Sequence, residues 1–339
     1  MNTGNVYGDI SPRTAGYATK ELLKRAQPLL ITERFGQVDP QGQRKTKTRK
    51  WRRYNSLPRA MAPLAEGIPP TGHKLTFSDV QVTLEQYGSV IELTDVIEDT
   101  HEDPVLDEMI SLVSEQAAET VEQLRYHVLR GGTNVFYANG VTARGSVASP
   151  PTRGDIRLIV RSFSRARAHK FTRTIRPSAN YGTEPVAPAF WAFGHTDLDS
   201  DLRGLTGFVP VEKYAEANGV MDGEIGKLES VRFVLTSEFE PWYAAGASGT
   251  TYLSNGAAVG SAAAADVYPL IFVARDSYAI VPLSGKNSVT PIVLNPNKPS
   301  ASDPLGQKGS VGWKTYQATA VLNQQWMARL ECAVTATPN

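Results

Sequence analysis

From Pro104 to Arg130 the chain has no internal Gly or Pro, and apolar side chains recur at Leu106, Ile110, Val113, Ala117, Val121, Leu124 and Val128. Spacings of three and four put these residues on one face of a helix. Asp103 can cap the first amides, Pro104 suits a first position that needs no N–H, and Gly131-Gly132 offer a left-handed stop. At about 1.5 Å per residue the rod is about 40 Å long. Its other face carries Asp107, Glu108, Glu115, Glu119 and Glu122. The rest of the chain has to be arranged around this spine.

The remainder is not helical in character. Twenty-eight Gly and 22 Pro in 339 residues call for many turns and short strands. A single cysteine, Cys332, excludes an internal disulfide framework and fits a reducing compartment. Residues 1–11 lack the apolar stretch of a secretory signal, and no run reaches the ~18 apolar residues of a membrane helix, so a soluble chain is expected. The net charge of +1 hides an asymmetry. Residues 1–60 hold 13 Lys and Arg against 4 Asp and Glu, and Arg44–Arg53 holds seven bases and no acid. Glu92–Glu122 holds eleven acids and no base. Blocks of opposite sign attract each other within one chain or between copies.

In order, residues 1–43 read as an arm, with a short amphipathic helix expected over 17–30 and little else to build a core. Residues 44–95 read as a long two-stranded ribbon. Lys45–Leu57 is basic with Trp51 and Tyr54 interleaved, and Phe77–Leu93 alternates through Val80, Val82 and Leu84, with a break at Gly88. Pro58–Lys74 supplies a Pro/Gly tip. An isolated hairpin of this length is marginal in water, so another surface has to cover it. Residues 96–151 hold the spine. Thr152 and Asp155 then read as a capping box opening a second helix to about Arg167. Strands are expected at 187–194, 208–211, 231–236 and 269–274. The small residues of 244–265 read as a mobile surface insertion. In residues 311–339, Tyr316, Ala318, Ala320, Leu322, Trp326, Ala328, Leu330, Cys332 and Val334 keep one parity. They predict strands with one buried face, for which the spine's stripe is the available partner. The fold class is α+β.

Four runs carry a resemblance: Pro63–Pro70 (PLAEGIPP), Leu84–Gly88 (LEQYG), Leu93–Asp95 followed by Asp103-Pro104, and Gly223–Lys227 (GEIGK) leading into Val231–Val234. In this order they resemble the major capsid proteins of tailed bacteriophages, with the Hong Kong 97-type fold, in the podophage N-four-like subfamily. The resemblance implies an N-terminal arm (1–43), an extended β-ribbon loop (44–95) lying over the adjacent subunit, and a peripheral domain with the spine (96–151). It further implies an axial domain (152–310, insertion near 244–265) and terminal strands returning to the peripheral domain (311–339). It implies self-assembly as hexamers and pentamers into an icosahedral shell around double-stranded DNA, with no catalysis, cofactor, metal or membrane. Portal, scaffold and decoration proteins are the other implied partners. The implied location is the virion, assembled in the bacterial host cytoplasm. An encapsulin-like compartment shell and a basic-arm nucleic-acid-binding protein are the alternatives.

Candidate intersubunit residues are Arg44, Lys45, Lys47, Arg49, Lys50, Trp51, Arg52, Arg53, Tyr54 and Glu66 on the ribbon, and Glu98, Asp99, Glu102, Asp107 and Glu108 at the spine's start. The basic strip with its two aromatics also suits phosphate contact and base stacking. Arg153, Arg157, Arg161 and Arg165 repeat every four residues, which suits either a solvated helix face or contact with packaged DNA. His195–Asp201 is the most metal-like cluster, but the sixth position from Asp197 is Leu202 rather than Gly and the twelfth is Phe208 rather than Glu. Capping of a helix start is the better reading.

Overall fold

The spine forms where the sequence places it. In the computed structural model, which describes residues 30–55, 57–59, 61, 63, 67, 72–95, 105–171, 188–213, 221, 223–248, 252–255, 257–258, 264–283, 289–294, 296 and 303–336, helix α1 runs Val105–Arg130. The arm helix expected over 17–30 (all but its last residue), the Asp103-Pro104 cap and most of the Pro63–Pro70 tip lie outside the described residues. Ile110, Val113, Ala117 and Val121 are buried as expected, but the last two turns depart from the stripe. Val128 is exposed, while Tyr126 and Leu129 are buried. Glu122, expected on the polar face, has no exposure at all. The cause is a change of partner: the rod's first half packs against a small sheet and its second half against a large one.

The expected left-handed stop is also corrected. Neither Gly131 nor Gly132 has a positive φ. The last carbonyls are capped by a side chain from the far end of the chain, as Arg329 Nη1 donates to the carbonyls of Arg130 and Gly132. A side chain at Gly132 would run into Met327, so this glycine provides room rather than a turn.

The strands, in chain order, begin with β1 (Gln37–Val38), β2 (Thr48–Tyr54), β3 (Phe77–Thr83), β4 (Glu85–Thr94), β5 (Val135–Tyr137), β6 (Phe190–His195), β7 (Phe208–Pro210) and β8 (Glu224–Leu228). They continue with β9 (Val231–Thr236), β10 (Leu253–Ser254), β11 (Ala257–Ala258), β12 (Tyr268–Val273), β13 (Tyr278–Ile280), β14 (Thr290–Leu294), β15 (Lys308–Gln317), β16 (Thr319–Val321) and β17 (Met327–Cys332). Helix α2 spans Arg153–Arg165, opened by the expected capping box, and α3 spans Asp199–Arg203.

The large sheet has the order β5-β17-β12-β6-β9-β8-β7. On one face Ile156, Ile159 and Phe163 of α2 meet Phe190, Phe233, Leu270 and Phe272. On the other, Tyr126 and Leu129 of α1, with Ile31 and Phe35, meet Trp191, Phe193 and Ile271. Covered on both sides, β9, β12 and β17 are buried at every residue. This corrects the one-faced reading of the chain's end. The even positions of β17 join the α2 side, while Met327, Arg329 and Glu331 face the end of the spine.

The small sheet, β14-β15-β4, lies on the spine's first half through Val293, Val311, Trp313 and Leu93. The strand returning from the ribbon therefore breaks at Leu84, which is buried against Val281 and Ala318, and not at Gly88. Gly88 sits inside β4 opposite Lys314, where an added Cβ would lie 2.6 Å from the Trp313 carbonyl. The described part of the small-residue insertion is anchored rather than coreless. Asp266 accepts from the amides of Ala244 (2.7 Å) and Asn255 (2.9 Å), and Ala265 and Val267 pack with Val147 and Ala333.

Candidate interaction surfaces

The ribbon is β2 paired antiparallel with β3, in a register that sets Arg52 opposite Asp79 and Tyr54 opposite Phe77. Its base is fixed by Trp51 and Val82 packing with Leu84, Leu283 and Tyr316. Beyond that base both faces are open to solvent. Tyr54, Leu57, Leu75 and Phe77 are all more than half exposed, and Met61 is 83% exposed. Large apolar groups in this state on a two-stranded ribbon mark a contact surface.

The structure divides the basic strip into two classes. Arg49 makes a forked pair with Asp39 (2.6 and 3.0 Å), and Trp51 Nε1 donates to the same carboxylate at 2.7 Å. Lys50 (2.7 Å) and Arg52 (2.9 Å) hold Asp79, and their hydrogen bonds keep its carboxyl well below the ordinary range. Arg52 also lies over the Phe77 ring at 4.1 Å. These four residues shape the ribbon. Arg44, Lys45, Lys47 and Arg53 are exposed and have no ion-pair partner among the described residues. Of the acids, Asp107 and Glu108 are exposed in the first turn of α1, whereas Glu66, Glu98, Asp99 and Glu102 lie outside the described residues.

A second surface was not read from the sequence. The outward face of β14-β15-β4 places Ile292, Gly312 and Val90 in one row across the three strands. Val90, Ile292 and Leu294 are exposed. A groove of about 440 Å³ runs over Gly88, Val90, Ile292, Gly312 and Lys314. The available signal was Gly312 between Val311 and Trp313, a strand whose inward positions are large while an outward one is bare.

On α2 the stripe is also divided. Arg153 (3.0 Å) and Arg157 (2.6 Å) share Glu229, and Arg157 first and Arg153 next lower that carboxyl's pKa. Arg161 and Arg165 are exposed with no partner among the described residues. The metal-like cluster is occupied internally. Asp197 accepts from Tyr268 (2.7 Å), Asp199 pairs with Arg203 (2.8 Å), and Asp201 accepts from the Thr335 amide (2.9 Å). Burial pushes the Cys332 thiol well above its ordinary pKa. Among the described residues no three His, Cys, Asp or Glu are placed to hold a metal, and no helix is long and apolar enough to cross a membrane.

Among the described residues these features are those of a subunit of a larger assembly: two apolar surfaces left uncovered and four ribbon cations without an ion-pair partner. The chain belongs to the phage capsid protein family, whose sequence profile matches residues 78–330. It has the Hong Kong 97-type fold and the function of a major capsid protein of tailed phages. The chain is similar to the capsid of Ralstonia phage GP4 (TM-score 0.63, 11% identity, covering 90% of this chain and 87% of that one). It is likewise similar to the capsid of cyanophage Pam1 (0.60, 14%, 88% and 89%). The holo-SrpI encapsulin complex from Synechococcus elongatus PCC 7942 is a further neighbour (0.53, 12%, 99% and 92%). No curated protein sequence matches the chain.

Proposed function

We propose that copies of this chain dock head to tail into hexamers and pentamers that close an icosahedral shell around double-stranded DNA. The observation that carries this reading is the ribbon: within one chain nothing among the described residues covers its apolar groups beyond the base. A head-to-tail contact joins two different patches and therefore generates rings. In this scheme Tyr54, Leu57, Met61, Leu75 and Phe77 rest on a neighbouring copy and supply the affinity. Arg44, Lys45, Lys47 and Arg53 face the acidic start of the neighbour's spine, Asp107 and Glu108 with Glu98, Asp99 and Glu102 just before them. Exposed pairs are each worth about 0–1 kcal/mol, so they set orientation and rate while apolar contact and repetition hold the ring. Glu66 at the tip belongs to the same contact.

Arg161 and Arg165 are the DNA-facing pair in this scheme, binding phosphate without regard to sequence. A portal and a scaffold, and a decoration protein on the outside, are the remaining partners, with assembly in the bacterial host cytoplasm. The encapsulin neighbour, which spans 99% of this chain, supports a second reading as a compartment shell. Particles purified from infected or induced cells are expected to contain nuclease-protected duplex DNA. Particles that hold a single enzyme and no DNA would support the compartment instead.

A further inference from the structure

Residues 30–41 run from the spine to the ribbon and are fastened at both ends. At the spine end, Thr32 donates from its amide to Glu122 Oε1 (3.0 Å) and from its hydroxyl to Glu122 Oε2 (2.7 Å). Its carbonyl accepts from the Tyr278 hydroxyl at 2.5 Å. One turn along α1, Arg125 is 1% exposed, donating to Glu33 (3.3 Å) and Gln317 (3.4 Å), while its Nε has no partner. A carboxylate and a guanidinium are thus buried one turn apart, the first bonded to Thr32 and the second to Glu33. Lifting this segment takes the Thr32 and Ile31 donors from Glu122 and the one bonded carboxylate from Arg125.

The middle of the segment is seated on the core. Phe35 packs on Trp191 and Phe193 at 4.7 and 4.9 Å between ring centres, and β1 pairs with β13. At the far end, Asp39 holds Arg49 and Trp51 of the ribbon, and Gln41 Nε2 donates to the Thr46 carbonyl at 2.8 Å. The Asp39 and Gln41 amides donate to the carbonyls of Ile280 and Pro282.

We propose that residues 30–41 are a two-ended strap, with Glu122 as its catch on the spine and Asp39 as its hook on the ribbon, so that releasing the catch frees the ribbon's direction. The polar catch is what makes release feasible. An apolar residue at position 122 would bury as well at lower cost, whereas a carboxylate can leave its partners for water. Burial raises the Glu122 pKa, opposed in decreasing order by the Thr32 hydrogen bonds and the Arg125 charge. The groups facing it are Thr32 and the Ile31 backbone of the strap, Arg125 of α1 and Tyr278 of β13, while Glu33 and Gln317 face Arg125. A carboxyl whose pKa is higher when fastened than when free takes up its proton more readily in the fastened state. The strap is therefore held more firmly as pH falls toward the ordinary carboxylate value, and less firmly as pH rises through the raised one.

Amide hydrogen exchange on the full-length chain tests this. In Glu122→Ala, the amides of Thr32, Asp39 and Gln41 and those of β2 and β3 are expected to exchange about tenfold faster or more, with β12 and β17 unchanged. In Asp39→Asn, only β2 and β3 are expected to speed up, with Thr32 still protected. Glu122→Gln, which keeps an acceptor but not the charge, is expected to remove the pH dependence of strap opening. It also serves if Glu122→Ala does not fold. Ribbon exchange that stays at the wild-type rate in Asp39→Asn, or an unaltered pH dependence in Glu122→Gln, would overturn the strap.

Discussion

Glu331→Ala is expected to lower the stability of the unassembled chain by about 3–5 kcal/mol in urea titration, the range for removing one member of a buried ionic group. Glu331 has no exposure and binds Arg144 at 2.7 and 2.9 Å and Arg329 at 2.9 Å. Arg329 is the side chain that caps the end of the spine, and burial already pulls its pKa down. Without Glu331 two guanidiniums remain stacked near Trp242, at 3.7 Å for Arg144 and 5.3 Å for Arg329, with no carboxylate between them. The control is Glu229→Ala, which also frees two arginines, Arg153 and Arg157, but on an exposed helix face. Its expected cost is about 0–1 kcal/mol. Equal costs for the two variants would contradict the role given to Glu331.

Replacing Arg44, Lys45, Lys47 and Arg53 together by Glu is expected to abolish shell formation while leaving the fold intact. None of the four has a partner among the described residues, so the folded chain loses no contact shown there. In the proposed contact, however, attraction to the neighbour's Asp107 and Glu108 would become repulsion, and a ring would repeat that penalty around its circumference. The reversal must avoid Arg49 and Arg52, since their pairs with Asp39 and Asp79 hold the ribbon itself. Sedimentation separates the outcomes. Circular dichroism matching the parent with no fast-sedimenting shells is expected, and normal shells would remove charge from the account of docking.

How much of this was legible in the sequence depended on whether the cause was local. The spine's extent followed from the uninterrupted apolar periodicity before Gly131, although its end is capped by Arg329 rather than by a glycine turn, and the capping box at Thr152 followed from two residues in one turn. The burial of Glu122 and Arg125 could not be read this way, because it arises where the spine passes from one sheet to another and from residues about 90 positions earlier. The ribbon was visible in its alternation. Its internal pairs were visible only once the register set Arg52 against Asp79. The run from Gly223 to Lys227, which carried part of the family likeness, owes its character to structure: Gly223 has φ of 79°, and Glu224 makes a buried pair with Arg232 at 2.6 Å. The groove over Gly312 joins strands about 200 positions apart, so no local pattern could announce it.

Electron microscopy of the purified full-length chain, concentrated without any other phage component, bears most directly on the central idea that the ribbon is completed by another copy. Closed particles built of six- and five-membered rings, each ribbon lying across the next subunit, are the predicted result. A uniform population with the mass of one chain, its ribbon folded back on its own body, would contradict it.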